Sequence, residues 1–300
     1  MHRTGMTELE AVLAVARRSS FRGAALELGM STTAVSSAVA GLEARLRVRL
    51  FNRSTRSVAL TDAGQRYVER ITPALSEIRS AGEEARSGPD TPSGTLRINV
   101  PQGAAFLLLE PLFNRYAQRY PEVRIDIVSE SRMIDIVAQG FDAGIRLAES
   151  VPQDMIAVPL SRDIRMLVVA SPEYLKRYGT PRHPHDLLKH QSIGMRMSHG
   201  GIYHWELERD GQKLQMDLPT RMALNELPAI KQAVLLGLGI GFISEWFIKD
   251  ELKSGALKAV LVPWSQPFGG LRLYYSGHRF VPSRLRALID LVHELRLAKG

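Results

Sequence analysis

Phe21-Arg22-Gly23-Ala24-Ala25-Leu26-Glu27-Leu28-Gly29-Met30-Ser31-Thr32-Thr33-Ala34-Val35-Ser36-Ser37-Ala38-Val39-Ala40-Gly41-Leu42-Glu43 reads as two helices and the turn between them. The first helix runs from about Phe21 to Leu28 and buries Phe21, Ala25 and Leu28. Gly29 follows, where a helix end favours a residue that accepts a left-handed backbone. Ser31 is a good N-cap for the second helix, whose inner face is Ala34, Val35, Ala38, Val39, Leu42 and Leu46. Two helices joined by so short a turn make a helix-turn-helix candidate, with the second helix as the reader. Its outward N-terminal residues are Thr32, Thr33, Ser36 and Ser37, hydroxyls suited to base edges and phosphates. The spacing alone fits any compact three-helix domain equally well.

Working outward, Thr7 and Glu10 have the spacing of a capping box, and Leu9, Val12, Leu13 and Ala16 form an apolar stripe behind them. On the other side, Leu50-Phe51-Asn52-Arg53 and Val58-Ala59-Leu60 read as two short strands. The turn Ser54-Thr55-Arg56-Ser57 makes them a basic hairpin, a wing able to track a phosphate backbone or minor groove. The net charge is +8, and residues 17–66 hold nine arginines against three acidic residues. Such concentration is the footprint of a phosphate-binding surface; a solvated basic face without a partner is the competing reading.

Phe21, Ala24, Ala25, Leu28, Ser31, Ala34, Val35, Ser36, Leu42 and Glu43 resemble the N-terminal signature of LysR-type transcriptional regulators. Leu50-Phe51-x-Arg53-x-x-Arg56, followed by Leu60-Thr61-x-Ala63-Gly64, resembles that family's wing and the start of its linker helix. The resemblance implies double-stranded DNA as partner, a homodimer or tetramer, and RNA polymerase as a further contact. It makes Arg22, Ser31, Thr32, Thr33, Ser36, Ser37, Arg53 and Arg56 the expected DNA-binding residues. The chain departs from the family where Gln-Pro is frequent, having Thr32-Thr33, and where Arg is frequent, having Ser37. A guanidinium is thereby missing from the reading helix, which shifts anchoring towards Arg22, Arg53 and Arg56.

Residues 61–86 read as one long helix, capped by Thr61, with Asp62 in its first turn. Tyr67, Ile71, Ala74, Leu75, Ile78 and Ala81 recur at spacings of three and four, and Pro73 should kink the helix or begin a second segment. The stripe fits antiparallel pairing with a second chain, as the resemblance implies, or packing on its own domain. Ser87 to Gly94 is a run of turn formers. Beyond it strands and helices alternate, as in a largely parallel sheet: Leu96–Val100, a helix near Ala104–Tyr120, Arg124–Val128, and a helix near Ile134–Gln139. The expected fold is thus a mainly α N-terminal winged helix-turn-helix over 1–60, a linker and dimerisation helix with hinge over 61–94, and an α/β effector-binding domain over 95–300.

The resemblance gives that last part a periplasmic-binding-protein-like form. Subdomain I covers 95–164 and 267–300, subdomain II covers 165–266, and Arg165–Ala170 and Gly270–Tyr275 are the crossings. Ligands of open α/β sheets bind at the carboxyl ends of strands, beside helix N-termini. The expected effector residues are Pro101, Gln102 and Gly103, Ser129, Arg146, and, across the cleft, Arg196, Asn225 and Glu226. Arg146 fits a structural ion pair with Asp142 or Glu149 equally. A pocket with arginines and helix N-termini suits a small anion, and Glu226 opposes that reading.

Other chemistry finds little support. There is no cysteine, so thiol catalysis and disulfides are excluded. No run of 18 apolar residues and no secretory leader is visible, so a cytoplasmic protein without a membrane role is expected. Gly237-Leu238-Gly239-Ile240-Gly241-Phe242 has helix, glycines and strand in the wrong order for a dinucleotide loop. His183, His185 and His190, with Asp186, read as a loop with incidental histidines rather than a metal site. No G-x-S-x-G elbow occurs. The expectation is a regulator without cofactor or catalysis; a small-molecule binding protein without DNA, and less so an α/β enzyme, are the alternatives.

Overall fold

The computed structural model describes residues 5–53, 58–87, 91–130, 132–277 and 281–295. The chain divides into two compact units, Met1–Gly88 with Ile134–Phe141, and Pro89–Met133 with Asp142–Gly300.

The first unit contains α1 (Met6–Arg18), α2 (Phe21–Leu28), α3 (Thr32–Leu46), β1 (Phe51–Arg53), β2 (Val58–Leu60) and α4 (Asp62–Ser87). The start of α1 departs from expectation. Gly5, not Thr7, is the N-cap, because Glu8 reaches back to accept the Gly5 N–H at 2.9 Å. The other two helix starts match: Ser20 accepts from the Gly23 N–H at 3.2 Å and Ser31 from the Ala34 N–H at 3.1 Å, each cap worth about 1 kcal/mol. Gly29 closes α2 at φ +64°. Val12, Val15, Ala25, Val35, Val39, Leu42, Leu50 and Phe51 fill one core beneath the three helices. Leu46, expected inside, is exposed at the end of α3. The wing strands pair antiparallel, Phe51 against Leu60.

α4 is one helix with Pro73 inside it. Thr72 donates its hydroxyl to the Val68 carbonyl at 2.8 Å, in the turn where proline withdraws an N–H. The apolar stripe divides. Tyr67, Val68 and Ile71 pack on the helix-turn-helix core and Leu75 is buried, whereas Ile78 is 57% exposed. Arg79 also reaches Glu10 of α1 at 2.8 Å. The expected helix at 134–139 is only a single turn, in which Asp135 accepts the Val137 and Ala138 N–H groups at 2.9 Å each. So short a segment, held by a side chain, lacks the length for a stable helix.

The second unit runs β3 (Gly94–Val100), α5 (Gln102–Leu108), α6 (Arg115–Arg119), β4 (Val123–Ser129), β5 (Ala143–Leu147), β6 (Met155–Pro159), β7 (Ile164–Ala170), α7 (Pro172–Tyr178), β8 (Ser192–Met195), β9 (Trp205–Arg209), β10 (Gln212–Met216), β11 (Thr220–Leu224), α8 (Leu227–Leu235), β12 (Ile240–Ser244), α9 (Lys249–Ser254), β13 (Lys258–Val260), β14 (Pro267–Phe268), β15 (Leu271–Ser276) and α10 (Ser283–Leu295). The helix expected over 104–120 is interrupted by a π-helical turn, Leu109–Asn114. Pro111 lies in it and cannot continue the ordinary i→i−4 ladder.

The first sheet has order β4-β3-β5-β15-β6, with β3 parallel to β4 and β5 and β15 antiparallel to its neighbours. Leu96, Ile98, Leu108, Leu112, Tyr116, Ile145, Leu273 and Leu288 are among the side chains packed around it. The second has order β11-β8-β12-β7-β13, with cores on two sets of side chains, one including Trp205, Phe242 and Trp264, the other Val169, Ile230, Val234 and Phe247. The crossing differs from expectation: Ile164 and Arg165 meet Phe268 and Pro267 antiparallel, ahead of the expected Gly270–Tyr275, while the remainder of β7 joins the second sheet and β15 joins the first. Two-residue pairing of this kind suits a hinge.

Candidate nucleic-acid interface and effector cleft

Three arginines of the basic segment hold the helix-turn-helix together. Arg17 and Arg18 both reach Glu27, the latter at 2.6 Å, and Arg45 reaches Glu8. Burial alone would raise the Glu27 carboxyl, but the hydrogen bonds from Arg17 and Arg18 outweigh it and hold Glu27 below the usual range. Ser31 uses its hydroxyl as the cap of α3, so its side chain sets the reading helix in place. Thr32, Thr33 and Ser37 are exposed along the first turns of α3, Ser36 is half-buried beside them, and Arg22 is exposed at the start of α2. Arg53 ends β1, with its side chain outside what the structure describes, and Arg56 lies outside the described residues.

Sequence reasoning assigned no role to Glu43. It is 6% exposed in the core, and its Oε1 accepts the N–H groups of Leu50 at 2.8 Å and Phe51 at 3.2 Å. The signal was present: an acid on the apolar face of α3 requires buried donors, and the strand that follows supplies them.

In the second unit the expected effector residues stand at the carboxyl ends of parallel strands. Pro101 is the N-cap of α5, directly after β3, and Gln102 begins the helix. Ser129 ends β4, opposite Val100 in register, and is exposed. Gly103 lies close to α8: a Cβ there would stand 2.3 Å from Leu227 Cδ1, so that side-chain end would have to turn aside. Glu226 is the N-cap of α8, and it and Asn225 are exposed. The structure therefore brings Pro101–Gly103 against the start of α8. Arg196 follows β8, its N–H bonded to the Leu224 carbonyl at 2.7 Å, but its exposed guanidinium bonds Gly200 of its own turn at 2.8 Å.

Arg146 is 4% exposed. Its guanidinium donates to the carbonyl of Ile145 at 2.7 Å, Asn99 Oδ1 at 2.5 Å, and the carbonyls of Glu130 at 3.2 Å and Arg132 at 3.0 Å. Its Nε has no hydrogen-bond partner among the described residues. Neither alternative ion pair is formed: Asp142 instead takes Arg284 at 2.8 Å, with both side chains buried, and also accepts the Arg97 N–H at 2.8 Å. Burial lowers the pKa of Arg146, countered by Tyr274 and Glu130, yet an arginine stays protonated at any ordinary pH. Asn99, fully buried and missed in the sequence, orients it.

The His183 and His185 rings stack, with Nδ1 atoms 3.2 Å apart, and His183 Nδ1 accepts the His185 N–H at 3.3 Å. His183 caps the short helical turn Pro184–Lys189. Among the described residues no helix is long and apolar enough to cross a membrane.

A winged helix-turn-helix in one unit and, in the other, two sheets joined by a short antiparallel crossing define an effector-responsive DNA-binding regulator. Residues 6–65 match the family model for bacterial regulatory helix-turn-helix proteins of the lysR family, and residues 89–296 match that for the LysR substrate binding domain. The chain belongs to the LysR family of transcriptional regulators. It is 41% identical over 290 residues to the uncharacterized HTH-type transcriptional regulator YcaN of Escherichia coli K12, covering 97% of this chain and 95% of that protein. It is 32% identical over 298 residues to the HTH-type transcriptional regulator CrgA of Neisseria meningitidis serogroup C, covering 98% of each. The solved structure of CrgA from Neisseria meningitidis matches with TM-score 0.61 at 30% identity, over 98% of this chain and 99% of that one. A full-length AphB variant structure shares the fold, with TM-score 0.71 at 24% identity, over 96% of this chain and 97% of that one.

Proposed function

We propose that this regulator binds operator DNA as a homodimer and answers to a small carboxylate seated at Arg146. Thr32, Thr33, Ser36 and Ser37 read bases from the first turns of α3, Ser31 fixes that helix, and Arg22, Arg53 and Arg56 hold phosphates. The functional boundaries are 1–60 for DNA, 61–94 for dimerisation and hinge, and 95–300 for the effector, the last split at 164 and 266. RNA polymerase is the downstream partner, the protein is cytoplasmic, and it performs no catalysis.

The observation that carries the effector reading is the buried Arg146 guanidinium, which has no carboxylate within ion-pair distance among the described residues. A buried charge met only by neutral oxygens is costly, and an incoming anion relieves that cost with a charge-assisted hydrogen bond. In this reading Pro101, Gln102, Gly103 and Ser129 line one side of the effector site, and Asn225, Glu226 and Arg196 the other. Calorimetry with matched carboxylates, amides and alcohols tests this. Binding of carboxylates alone is expected; binding of the neutral analogues alone contradicts it.

A further inference from the structure

The peptide around Leu50 is gripped from two directions. On one side Glu43 of α3 accepts the Leu50 and Phe51 N–H groups at 2.8 and 3.2 Å. On the other, the Thr61 N–H donates to the Leu50 carbonyl at 2.9 Å, and the Thr61 hydroxyl donates to the Arg49 carbonyl at 2.7 Å. That hydroxyl also accepts the Gly64 N–H at 2.9 Å, capping α4. Gly64 lies so close that a Cβ on it would stand 2.0 Å from the Leu50 oxygen. The Leu50 side chain is 1% exposed, sunk in the helix-turn-helix core.

These contacts join three elements at one residue. α3 reads DNA, β1 opens the wing, and α4 leads away from the DNA-binding module. Leu50 immediately precedes β1, so the direction in which the wing leaves the core is set by its two peptide groups. A flexible hairpin would lose its phosphate contacts to ordering entropy. Here the N–H groups are fixed by the reading helix and the carbonyl by the first turn of α4.

We propose that Glu43 and Thr61 are positioning residues for DNA binding. They touch no DNA. Glu43 aligns the wing with the reading helix, and Thr61 locks that alignment to α4. The role of Glu43 rests on its acceptor geometry: one oxygen meets two peptide N–H groups, a task a glutamine carbonyl also performs. This inference rests on the winged helix-turn-helix binding duplex DNA and is independent of the effector reading.

The test uses the full chain and a duplex enriched by the wild-type protein from a random pool, with variants E43Q, E43A and T61V. Affinity is measured against salt concentration, alongside hydroxyl-radical protection and methylation interference. For E43A and T61V we expect major-groove interference to persist while protection flanking it fades. The salt slope should fall by about 1–2, as each lost phosphate contact removes roughly 0.9, and affinity near physiological salt should drop about tenfold or more. E43Q, which keeps an acceptor for both N–H groups, should lose less than E43A. T61V covers the case in which E43A does not fold, since the Thr61 hydroxyl lies nearer the surface. Wild-type slope and protection in T61V, and in E43A where it folds, overturn the proposal, because a merely structural role lowers only the active fraction. Equal loss in E43Q and E43A also overturns it. Failure of the wild-type protein to enrich any duplex would instead strike the DNA-binding reading itself.

Discussion

Arg146 donates to the Asn99 side-chain oxygen at 2.5 Å, and this bond lies where β3 and β5 end in the first sheet of the second unit. Among the described residues the guanidinium has no acidic partner, so its role in stability and its role in binding can be measured separately. Arg146→Met removes a buried charge but also the donor to Asn99 Oδ1 and to the Glu130 and Arg132 carbonyls, so it should fold with a stability loss of about 1–3 kcal/mol. Small carboxylates should bind it at least about tenfold more weakly, the worth of one charge-assisted hydrogen bond. Denaturant titration and calorimetry check the two halves. Loss of stability with intact carboxylate binding would make Arg146 a structural residue.

Asp142 and Arg284 behave in the opposite way. Their ion pair is buried on both sides, and Asp142 also accepts the Arg97 N–H. Asp142→Asn leaves a buried guanidinium facing a neutral amide and should cost about 3–5 kcal/mol. Urea unfolding of the variant measures it directly.

The histidine at 190 predicts an acid limit for the second unit. Burial lowers the His190 pKa below 6.5, countered by Asp186, and the ring packs against Tyr174 with centroids 5.8 Å apart. The folded form keeps the ring neutral while the unfolded chain binds a proton below about pH 6.5. Stability attributable to this group is therefore full above the unfolded value and lost as pH falls below it. His190→Gln should flatten the decline in denaturation midpoint between about pH 6.5 and 5; an unchanged pH profile would remove His190 from the account.

α4 separates two roles along one apolar stripe. Ile71 packs on the helix-turn-helix core, so a charge there damages the fold. Ile78 is 57% exposed and suits pairing with a second copy. Ile78→Glu should yield folded monomers in light scattering, with DNA binding reduced to weak half-site attachment. A dimer mass unchanged from wild type would exclude this face.

The helices of the DNA-binding module were legible because their signals are local. Ser31 and Gly29 mark their own positions, and Val35, Val39 and Leu42 recur at helical period. In the second unit the strands at Leu96–Val100 and Arg124–Val128 were legible from their own residues, whereas β6, β9, β10, β11 and β13 were not read. What escaped depends on distant partners. Glu8 displaced the cap from Thr7 to Gly5, Pro111 forced a π turn, and Asp135 reduced an expected helix to one turn. Glu43 finds its donors only once β1 returns beneath α3. In the effector region the residues named from the sequence, Arg146 among them, lie at or next to strand ends. Its liberty from Asp142 could not be read in the chain, because it depends on Arg284 arriving from the last helix.

Site selection from a random duplex pool, run in parallel on the wild-type chain and on a Thr33→Ala/Ser37→Ala variant, tests most directly whether α3 reads DNA. The wild type is expected to enrich a pseudo-palindromic sequence, and the variant to retain salt-sensitive attachment while losing that enrichment. Enrichment of the same sequence with the same affinity by both proteins, or of none by the wild type, would contradict the account.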